Sequence, residues 1–384
     1  MITRRTLIAS SLAAVGTAVL PRISFAKGGS DERRFIFIIQ RGAADGLYSV
    51  APVGDPGLRA ARVSLVDGMG EGVKLDSLFA LHPALKHTAG FYRGGEALFV
   101  HAVASANRDR SHFDAQNILE TGGLRAYAEQ YGWMNRLVGI LPGADPRAMA
   151  LAQTLPAALR GPNSVSSYAP SRLPDALQDL MSRVTDLYAH DLQLSGLWQS
   201  AMDTRALAGN LGEGEGRSGA ATGALAAKLM LPANGARLLM IETGGWDTHS
   251  AQKGRLNAGL NGLDQMIGAI KAGLGAAWAN TMILVATEFG RTVAVNGTGG
   301  TDHGTASATM LIGGAVKGGR VIADWPGLRS SDQFEGRDLK PTIALEAVIA
   351  GAIAGHFALD PVQVAKTLYP SLPPVKRIEG LIHT

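Results

Sequence analysis

The stretch ARLLMIETGGWDTH, residues 236–249, joins an apolar run directly to a polar loop that contains glycine. The residues LLMI are apolar in succession, which is typical of a strand covered on both faces of a mostly parallel sheet. Gly244 and Gly245 then allow the chain to bend sharply before Asp247 and His249. The stretch predicts a buried strand whose carboxyl end presents a carboxylate and an imidazole.

Similar apolar runs recur along the chain and predict further strands of the same sheet, at residues 33–46, 96–104, 281–292 and 308–316. Helical patterns lie between or after them, at residues 83–95, 173–202, 257–280 and 343–357. Strands that alternate with helices predict an α/β fold with a doubly wound, mostly parallel sheet covered by helices on both faces. The run at 308–316 differs from the others because it ends in a glycine pair and not in a polar cluster.

The composition restricts the chemistry that the chain can perform. The chain has 384 residues, of which 46% are hydrophobic, a globular composition long enough for one large domain or two ordinary ones. Its formal net charge is +4, but three of these charges are arginines in the first 26 residues. The near-neutral remainder gives no electrostatic case for nucleic acid as a partner. The absence of cysteine excludes disulfides, thiolate ligands and thiol nucleophiles, so any metal must be bound by His, Asp, Glu, hydroxyl or water.

Residues 1–26 have the pattern of an export signal. Arg4 and Arg5 precede the apolar run LIASSLAAVGTAVL, and SFA before Lys27 fits a small-x-small cleavage site. The paired arginines resemble the twin-arginine signal. We therefore expect the twin-arginine export machinery as a partner and a periplasmic or secreted location in a bacterium. An uncleaved N-terminal anchor is the alternative.

Residues 27–384 are expected to form a single domain with no stable membrane span in the mature chain. No segment after the export signal has the ~18 uninterrupted apolar residues that a spanning helix needs. The segment GNLGEGEGRSGAATG, residues 209–223, contains few large apolar residues and predicts a flexible surface connection.

Polar groups follow four of the predicted strands, at the sheet edge where ligands bind in open α/β folds. Asp247 and His249 could reach one divalent cation, because a D-x-H spacing in a bent loop turns both side chains to one point. Asp302 and His303 lie in the glycine-rich loop GTGGTDHGTAS and could join the same site. The alternatives are a helix cap at Asp247 with His249 bonded to it, and a mobile surface hairpin at residues 297–307.

Three further candidates follow the other predicted strands. Glu288 could ligate the metal, whereas Arg291 could pair with a phosphate or sulfate group, or with Glu288 in a structural ion pair. Asp45, in RGAADG, could ligate the metal or form a turn with Gly46.

The segment RDRSHFDAQN, residues 108–117, brings an arginine, a hydroxyl, an imidazole and a carboxylate together. Ser111 could be a nucleophile activated by a neighbouring metal or base, and His112 could be a base or a ligand. Ser111 could equally cap a helix, with Asp114 completing a capping-box-like turn. Arg110 could balance the negative charge that develops on an ester.

Seven motifs, in this order along the chain, resemble the DUF1501 family: RGAADG, RSHFDAQNILETG, GWMNR, ETGGWDTHSAQ, TEFGRT, GGTDHG and ADWPGL. The resemblance covers nearly the whole mature chain and implies an exported bacterial protein of undefined biochemical role. That family in turn is similar to the alkaline phosphatase-like fold, which includes sulfatases and the cofactor-independent phosphoglycerate mutases.

The wider resemblance implies a role for each matching position. It implies a metal ligand near Asp45, a nucleophile near Ser111, further ligands at Asp247, His249, Glu288 and His303, and Asp302 beside the last of these. This chain departs from the superfamily pattern at two positions. Phe289 stands where the pattern has a histidine, and Asp45 lies several residues beyond the end of its strand.

These residues lead to two functional hypotheses. The first is an exported metal-dependent hydrolase of phosphate or sulfate esters, acting on a small-molecule or polymer substrate. The metal would be a divalent ion such as zinc, manganese, magnesium or calcium, and Arg110 or Arg291 would balance charge. The second, motivated by the missing histidine, is a non-catalytic exported binding or assembly protein that retains the fold.

Overall fold

The structure is a computed structural model that describes residues 33–67, 72–142, 147–169, 178–191, 194–199, 201–202, 218–373 and 378–383. The predicted export signal at residues 1–26 lies outside the described residues.

Twelve strands occur in the described residues: β1 (Arg34–Gln40), β2 (Val50–Ala51), β3 (Val73–Lys74), β4 (Ala80–Leu81), β5 (Ala97–Ala104), β6 (Ala148–Leu151), β7 (Val165–Tyr168), β8 (Leu238–Thr243), β9 (Thr281–Ala286), β10 (Ser307–Ile312), β11 (Arg320–Ile322) and β12 (Ile343–Ala344). Nine of them form one sheet in the order β11-β5-β10-β9-β1-β8-β6-β7, with β12 paired to β5. The strands β2, β4 and β3 form a small separate sheet. All five predicted strands are confirmed within this large sheet.

The large sheet is mostly parallel, with one antiparallel strand in its middle. β1 pairs in parallel with β8 and with β9. β10 runs antiparallel to both β5 and β9. Its carboxyl end therefore points to the opposite edge of the sheet, which explains why this apolar run ends in a glycine pair and not in a polar cluster.

The α-helices are α1 (Gly46–Ser49), α2 (Pro56–Val66), α3 (Lys86–Arg93), α4 (His112–Thr121), α5 (Trp133–Val138), α6 (Gln178–Tyr188), α7 (Gly219–Met230), α8 (Gln252–Leu274), α9 (Leu345–Phe357) and α10 (Pro361–Leu368). Residues 194–199 are also helical. The helices predicted within 83–95, 257–280 and 343–357 are confirmed, and the pattern at 173–202 contains α6 and the helical residues 194–199.

Alternate side chains of each strand bury two separate cores, one on each face of the sheet. Ile36 and Ile38 of β1 pack into a core with α3, α7 and α8. Phe35 and Phe37, from the same strand, pack into a second core with α5, α9 and α10. Strands that are buried on both faces must be apolar throughout, which is the pattern seen in the sequence. The predicted α/β architecture with helices on both faces is confirmed.

Helix α7 begins inside the segment that the sequence analysis assigned to a flexible connection, residues 209–223. Residues 209–217 lie outside the described residues, but Ser218 caps α7 by accepting from the Ala221 amide at 3.1 Å. A Cβ atom at Gly219 would lie 1.9 Å from the Gly262 carbonyl oxygen of α8. The glycine at this position therefore allows two helices to pack closely, so the end of the segment is helical and tightly packed.

None of the helices in the described residues has the length and hydropathy of a membrane-spanning segment.

Candidate metal centre

The polar loops meet at one edge of the large sheet because their strands are neighbours that run in the same direction. β8, β1 and β9 lie side by side and parallel, so the segments after their carboxyl ends emerge together. The amino-terminal turn of α4 approaches the same edge from the segment that follows β5. Gly245 has a φ of +87°, a left-handed conformation that suits glycine and turns the loop after β8.

Three histidines surround one carboxylate at this edge, and we call His112, Asp247, His249 and His303 the histidine–aspartate cluster. One ligand atom each from His112, Asp247 and His303 lie within 4.8 Å of one another. His249 Nε2 lies 2.9 Å from Asp247 Oδ1 and 3.0 Å from His303 Nε2. The sequence prediction that Asp247, His249 and His303 converge agrees with this geometry, and His112 joins them.

Each imidazole of the cluster donates its Nδ1 hydrogen to a group that only accepts. The three pairs are His112 with Glu288 Oε1 at 2.8 Å, His249 with Asp302 Oδ1 at 3.1 Å, and His303 with the Arg110 carbonyl oxygen at 2.9 Å. When the rings are neutral, this arrangement places the lone pair of every ring on Nε2. Such outer partners, which fix the tautomer and the ring orientation, are typical of metal-ligating histidines.

The three Nε2 atoms have the Asp247 carboxylate and one another as their nearest polar neighbours. His249 Nε2 and His303 Nε2 face each other at 3.0 Å, so two lone pairs oppose each other unless a proton or a cation lies between them. His112 Nε2 is buried without a hydrogen-bond partner among the described residues, 3.5 Å from Asp247 Oδ2. A buried polar atom such as His112 Nε2 calls for a bound partner, and three Nε2 atoms grouped around one carboxylate therefore fit a divalent cation.

Glu288 lies behind His112 and orients it, whereas the sequence predicts a direct metal ligand at this position. Its Oε1 accepts from the Gly42 amide at 2.8 Å and from Gln116 Nε2 at 2.9 Å, in addition to His112. Burial raises the pKa of the Glu288 carboxyl, but these hydrogen bonds outweigh burial and hold that pKa below its usual value. The bond to Glu288 in turn raises the pKa of His112, against the effect of burial. Asp302 orients His249 by accepting from its Nδ1 at 3.1 Å.

Asp247 is held by a buried arginine. Arg291 Nη1 donates to Asp247 Oδ1 at 2.7 Å, and its side chain is fully buried. Burial raises the pKa of the Asp247 carboxyl, but the Arg291 guanidinium, together with His249 and His112, lowers that pKa below its usual value. Asp247 is therefore held as an anion, and Arg291 is already paired with it, not with Glu288 and not with solvent. Burial also lowers the pKa of His303, which favours the neutral ring that a metal requires.

Asp45 is not part of the histidine–aspartate cluster. Its carboxylate is buried and pairs with Arg62 Nη1 at 2.6 Å, with both side chains 1% exposed. The same oxygen, Oδ2, accepts from Gln252 Nε2 at 2.6 Å. An arginine and an amide thus occupy Oδ2, and Asp45 forms a buried ion pair outside the cluster.

Ser111 and Arg110 occupy the rim of the cluster. Ser111 is the N-cap of α4 and accepts from the Asp114 amide at 3.5 Å, as the capping alternative predicted. Arg110 donates through Nε and Nη2 to Asp338 Oδ2, at 3.0 and 2.7 Å, and through Nη2 to Glu335. Its guanidinium is partly compensated, but Nη1 makes no hydrogen bond with any part of the chain that the structure describes.

The residues that support the cluster from behind could not be predicted from the sequence. They are Gln116, Gln252, Thr301, Asp338 and Arg41, whose Nη1 donates to Gln116 Oε1 at 2.9 Å. One signal was present in the sequence. Gln116 follows His112 by four residues and therefore lies on the same face of a helix.

Several solved structures are similar to this chain at low sequence identity. Alkaline phosphatase from the Antarctic bacterium TAB5 is 13% identical, covers 76% of this chain and 94% of its own, and has a TM-score of 0.35. Ps i-CgsB, solved in complex with k-i-k-neocarrahexaose, is 11% identical over 85% of this chain and 72% of its own, with a TM-score of 0.40. Phosphonate monoester hydrolase of Agrobacterium radiobacter is 11% identical over 76% and 70%, with a TM-score of 0.36.

A comparison with curated protein sequences gave no match. A family model does match, over residues 32–361, and its description is "Protein of unknown function (DUF1501)". The match covers most of the chain and includes every residue of the histidine–aspartate cluster. The chain belongs to the DUF1501 family.

Proposed function

We propose that this protein is a metal-dependent hydrolase of phosphate or sulfate esters whose divalent cation is held by the histidine–aspartate cluster. One observation carries the proposal: three imidazoles, each anchored through Nδ1, turn their Nε2 atoms toward the carboxylate of Asp247. A site of three imidazoles and one carboxylate, without cysteine, suits zinc better than magnesium or calcium, which prefer oxygen ligands.

The cluster is open to an ester from solvent. The side chains of Asp247 and His249 are 41% and 45% exposed, whereas Glu288 and Arg291 behind them are fully buried. A bound divalent cation would act as a Lewis acid on the phosphoryl or sulfuryl oxygen. Buried supporting residues behind a solvent-exposed cluster suit the binding of a small-molecule substrate or of the exposed part of a polymer.

Other residues of the chain position the three rings and balance charge on the ester. Glu288, Asp302 and the Arg110 carbonyl keep the three rings in position, so little reorganisation is needed when an ester binds. The unpaired Nη1 of Arg110 is the cationic group that can balance charge on an ester oxygen. Arg291 stays with Asp247, and we assign it no contact with the substrate.

Metal analysis followed by a substrate panel tests the proposed function. We expect protein purified without added metal to contain a stoichiometric divalent ion, and zinc-loaded protein to hydrolyse at least one aryl phosphate or aryl sulfate. Removal of the ion with a chelator should abolish turnover, and its return should restore it. Less than about a tenth of an equivalent of metal, with no turnover after reconstitution, contradicts the proposal. Stoichiometric metal without any turnover would instead favour the non-catalytic binding protein.

We also propose that the chain is exported by the twin-arginine route to the periplasm or beyond. The support is the sequence of residues 1–26, where Arg4 and Arg5 precede an apolar run and a small-x-small site. Replacing both arginines with lysine should leave the precursor in the cytoplasm, because the export machinery reads the arginine pair. Cell fractionation measures this, and an unchanged periplasmic yield would refute the route.

A further inference from the structure

A chain of buried hydrogen bonds connects the ion pair of Asp45 and Arg62 to the histidine–aspartate cluster. Gln252, at the start of α8, is fully buried and donates through Nε2 to Asp45 Oδ2 at 2.6 Å. Its Oε1 accepts from Thr301 Oγ1, also at 2.6 Å. Thr301 Oγ1 in turn accepts from Arg291 Nε at 3.2 Å, and Arg291 reaches Asp247.

The direction of every bond in this chain is fixed. The Asp45 carboxylate, already paired with Arg62, can only accept, so the Gln252 amide must present its nitrogen to Asp45 and its oxygen to Thr301. Thr301 must then give its hydroxyl hydrogen to Gln252, which leaves an oxygen lone pair for Arg291 Nε. A side chain at position 252 that accepted toward Asp45 or donated toward Thr301 would disrupt this sequence of hydrogen bonds.

The guanidinium of Arg291 depends on this order for its orientation. Arg291 donates through Nε to the Thr301 hydroxyl and through Nη2 to the Thr301 carbonyl, which leaves Nη1 directed at Asp247. Thr301 precedes Asp302 and His303 directly in the sequence. The residues that contact Thr301 therefore also fix the start of the segment that supplies one ligand and the acceptor for another.

We propose that Gln252 is a positioning residue of the metal centre, which acts on Asp247 through Thr301 and Arg291. The inference rests on the metal site of the proposed function but not on ester hydrolysis. Among the described residues, no side-chain hydrogen bond joins Gln252 directly to the histidine–aspartate cluster, although its Oε1 also accepts from the hydroxyl of Thr248, between Asp247 and His249, at 3.1 Å. Its effect is to fix where the Asp247 carboxylate sits relative to the three Nε2 atoms. Outer partners of metal ligands typically contribute roughly 10–100-fold to affinity.

Zinc affinity of full-length variants, measured by competition with a chelator, tests this role. Gln252→Met keeps the length of the side chain but cannot bond to Thr301 or Asp45, and we expect zinc affinity to fall several-fold, up to about 10-fold, the lower end of the effect of a direct partner of a ligand. Thr301→Val removes the next link and should give a loss of similar size, which provides a second test if either variant fails to fold.

A control variant separates positioning from general destabilisation. Asp264 is a buried carboxylate on the same helix, about 18 Å along from Gln252, and accepts from the Thr88 amide and hydroxyl, both at 2.8 Å. Asp264→Asn should lower the Tm without changing zinc affinity. Gln252→Glu places two carboxylates against each other and should also lose affinity.

The outcomes distinguish this inference from the proposed function. If wild-type protein binds zinc and Gln252→Met binds it within twofold of wild type, the positioning role is wrong while the metal site stands. An equal loss of affinity in Asp264→Asn also overturns the role. If the wild-type protein binds no zinc, both proposals fail together.

Discussion

Replacing His303 with alanine is expected to remove the metal and to abolish measurable ester hydrolysis, with the protein still folded. His303 Nε2 lies 3.0 Å from His249 Nε2 and 3.3 Å from Asp247 Oδ1, and its ring centre is 4.3 Å from that of His112. The variant loses the one ring that contacts all other members of the cluster. The loss should therefore exceed the roughly 10–100-fold that removal of an outer partner costs. Metal content and the hydrolysis rate of the purified variant measure it.

His87→Ala is the matched control for this experiment. His87 is an exposed histidine of α3, on a helix that packs in the core with α8, and it makes no contact with the cluster among the described residues. Its variant should keep both metal and activity. Full metal occupancy in His303→Ala would show that the cluster does not hold the ion, and equal metal loss in His87→Ala would show that the loss is not specific.

The sheet edge could be predicted from the sequence because it depends on a repeated local pattern. A strand buried on both faces is apolar at every position, and the polar residues directly after such strands must meet where the strands are parallel. The stretches that end in Asp247, in Glu288 and in the segment before His112 follow this rule. The antiparallel direction of β10 also has a local sign, since its end carries glycine and no polar cluster. Short strands such as β6 and β7 carry too few residues for a comparable pattern.

The division of roles within the cluster could not be predicted, because it depends on distances between loops. Glu288 and His112 are separated by 176 positions in the sequence, yet the carboxylate accepts from the ring at 2.8 Å and does not face the other ligands. The sequence contains the correct residue types for both a direct ligand and an outer partner. Only the path of the chain decides which one Glu288 becomes.

The role of Asp45 could not be predicted from the sequence either. A carboxylate after the first strand of the sheet is in the right place for a metal ligand. Nothing near Asp45 in the sequence indicates that an arginine side chain pairs with it instead. Its partner Arg62 lies in the middle of α2, where φ is −137° and ψ is 31°, outside the helical region. This local kink accompanies the burial of Arg62 against Asp45, and no residue pattern in the sequence predicts it.

Arg62→Met is expected to destabilise the protein more than the loss of any member of the histidine–aspartate cluster. Both members of the ion pair are 1% exposed, and Asp45 Oδ1 already lacks a hydrogen-bond partner among the described residues. The variant leaves the Asp45 carboxylate buried with the Gln252 amide as its remaining donor. Breaking a buried pair by removing one partner costs about 3–5 kcal/mol. At about 2 °C for each kcal/mol in a domain of this size, the Tm should fall by roughly 6–10 °C.

Adding Asp45→Asn to Arg62→Met separates the loss of the ion pair from the penalty of an unpaired charge. Asparagine is neutral, so the double variant buries no uncompensated carboxylate and should recover at least half of the lost stability in urea unfolding. Its side-chain oxygen can still accept from Gln252, so the order of bonds toward Arg291 is kept. Metal content in the double variant should therefore equal that of wild type.

No recovery of stability in the double variant would show that the charge of Asp45 is not what Arg62 compensates. Loss of the metal at unchanged stability would make Asp45 a ligand after all, because only a ligand role requires its negative charge once the arginine is gone.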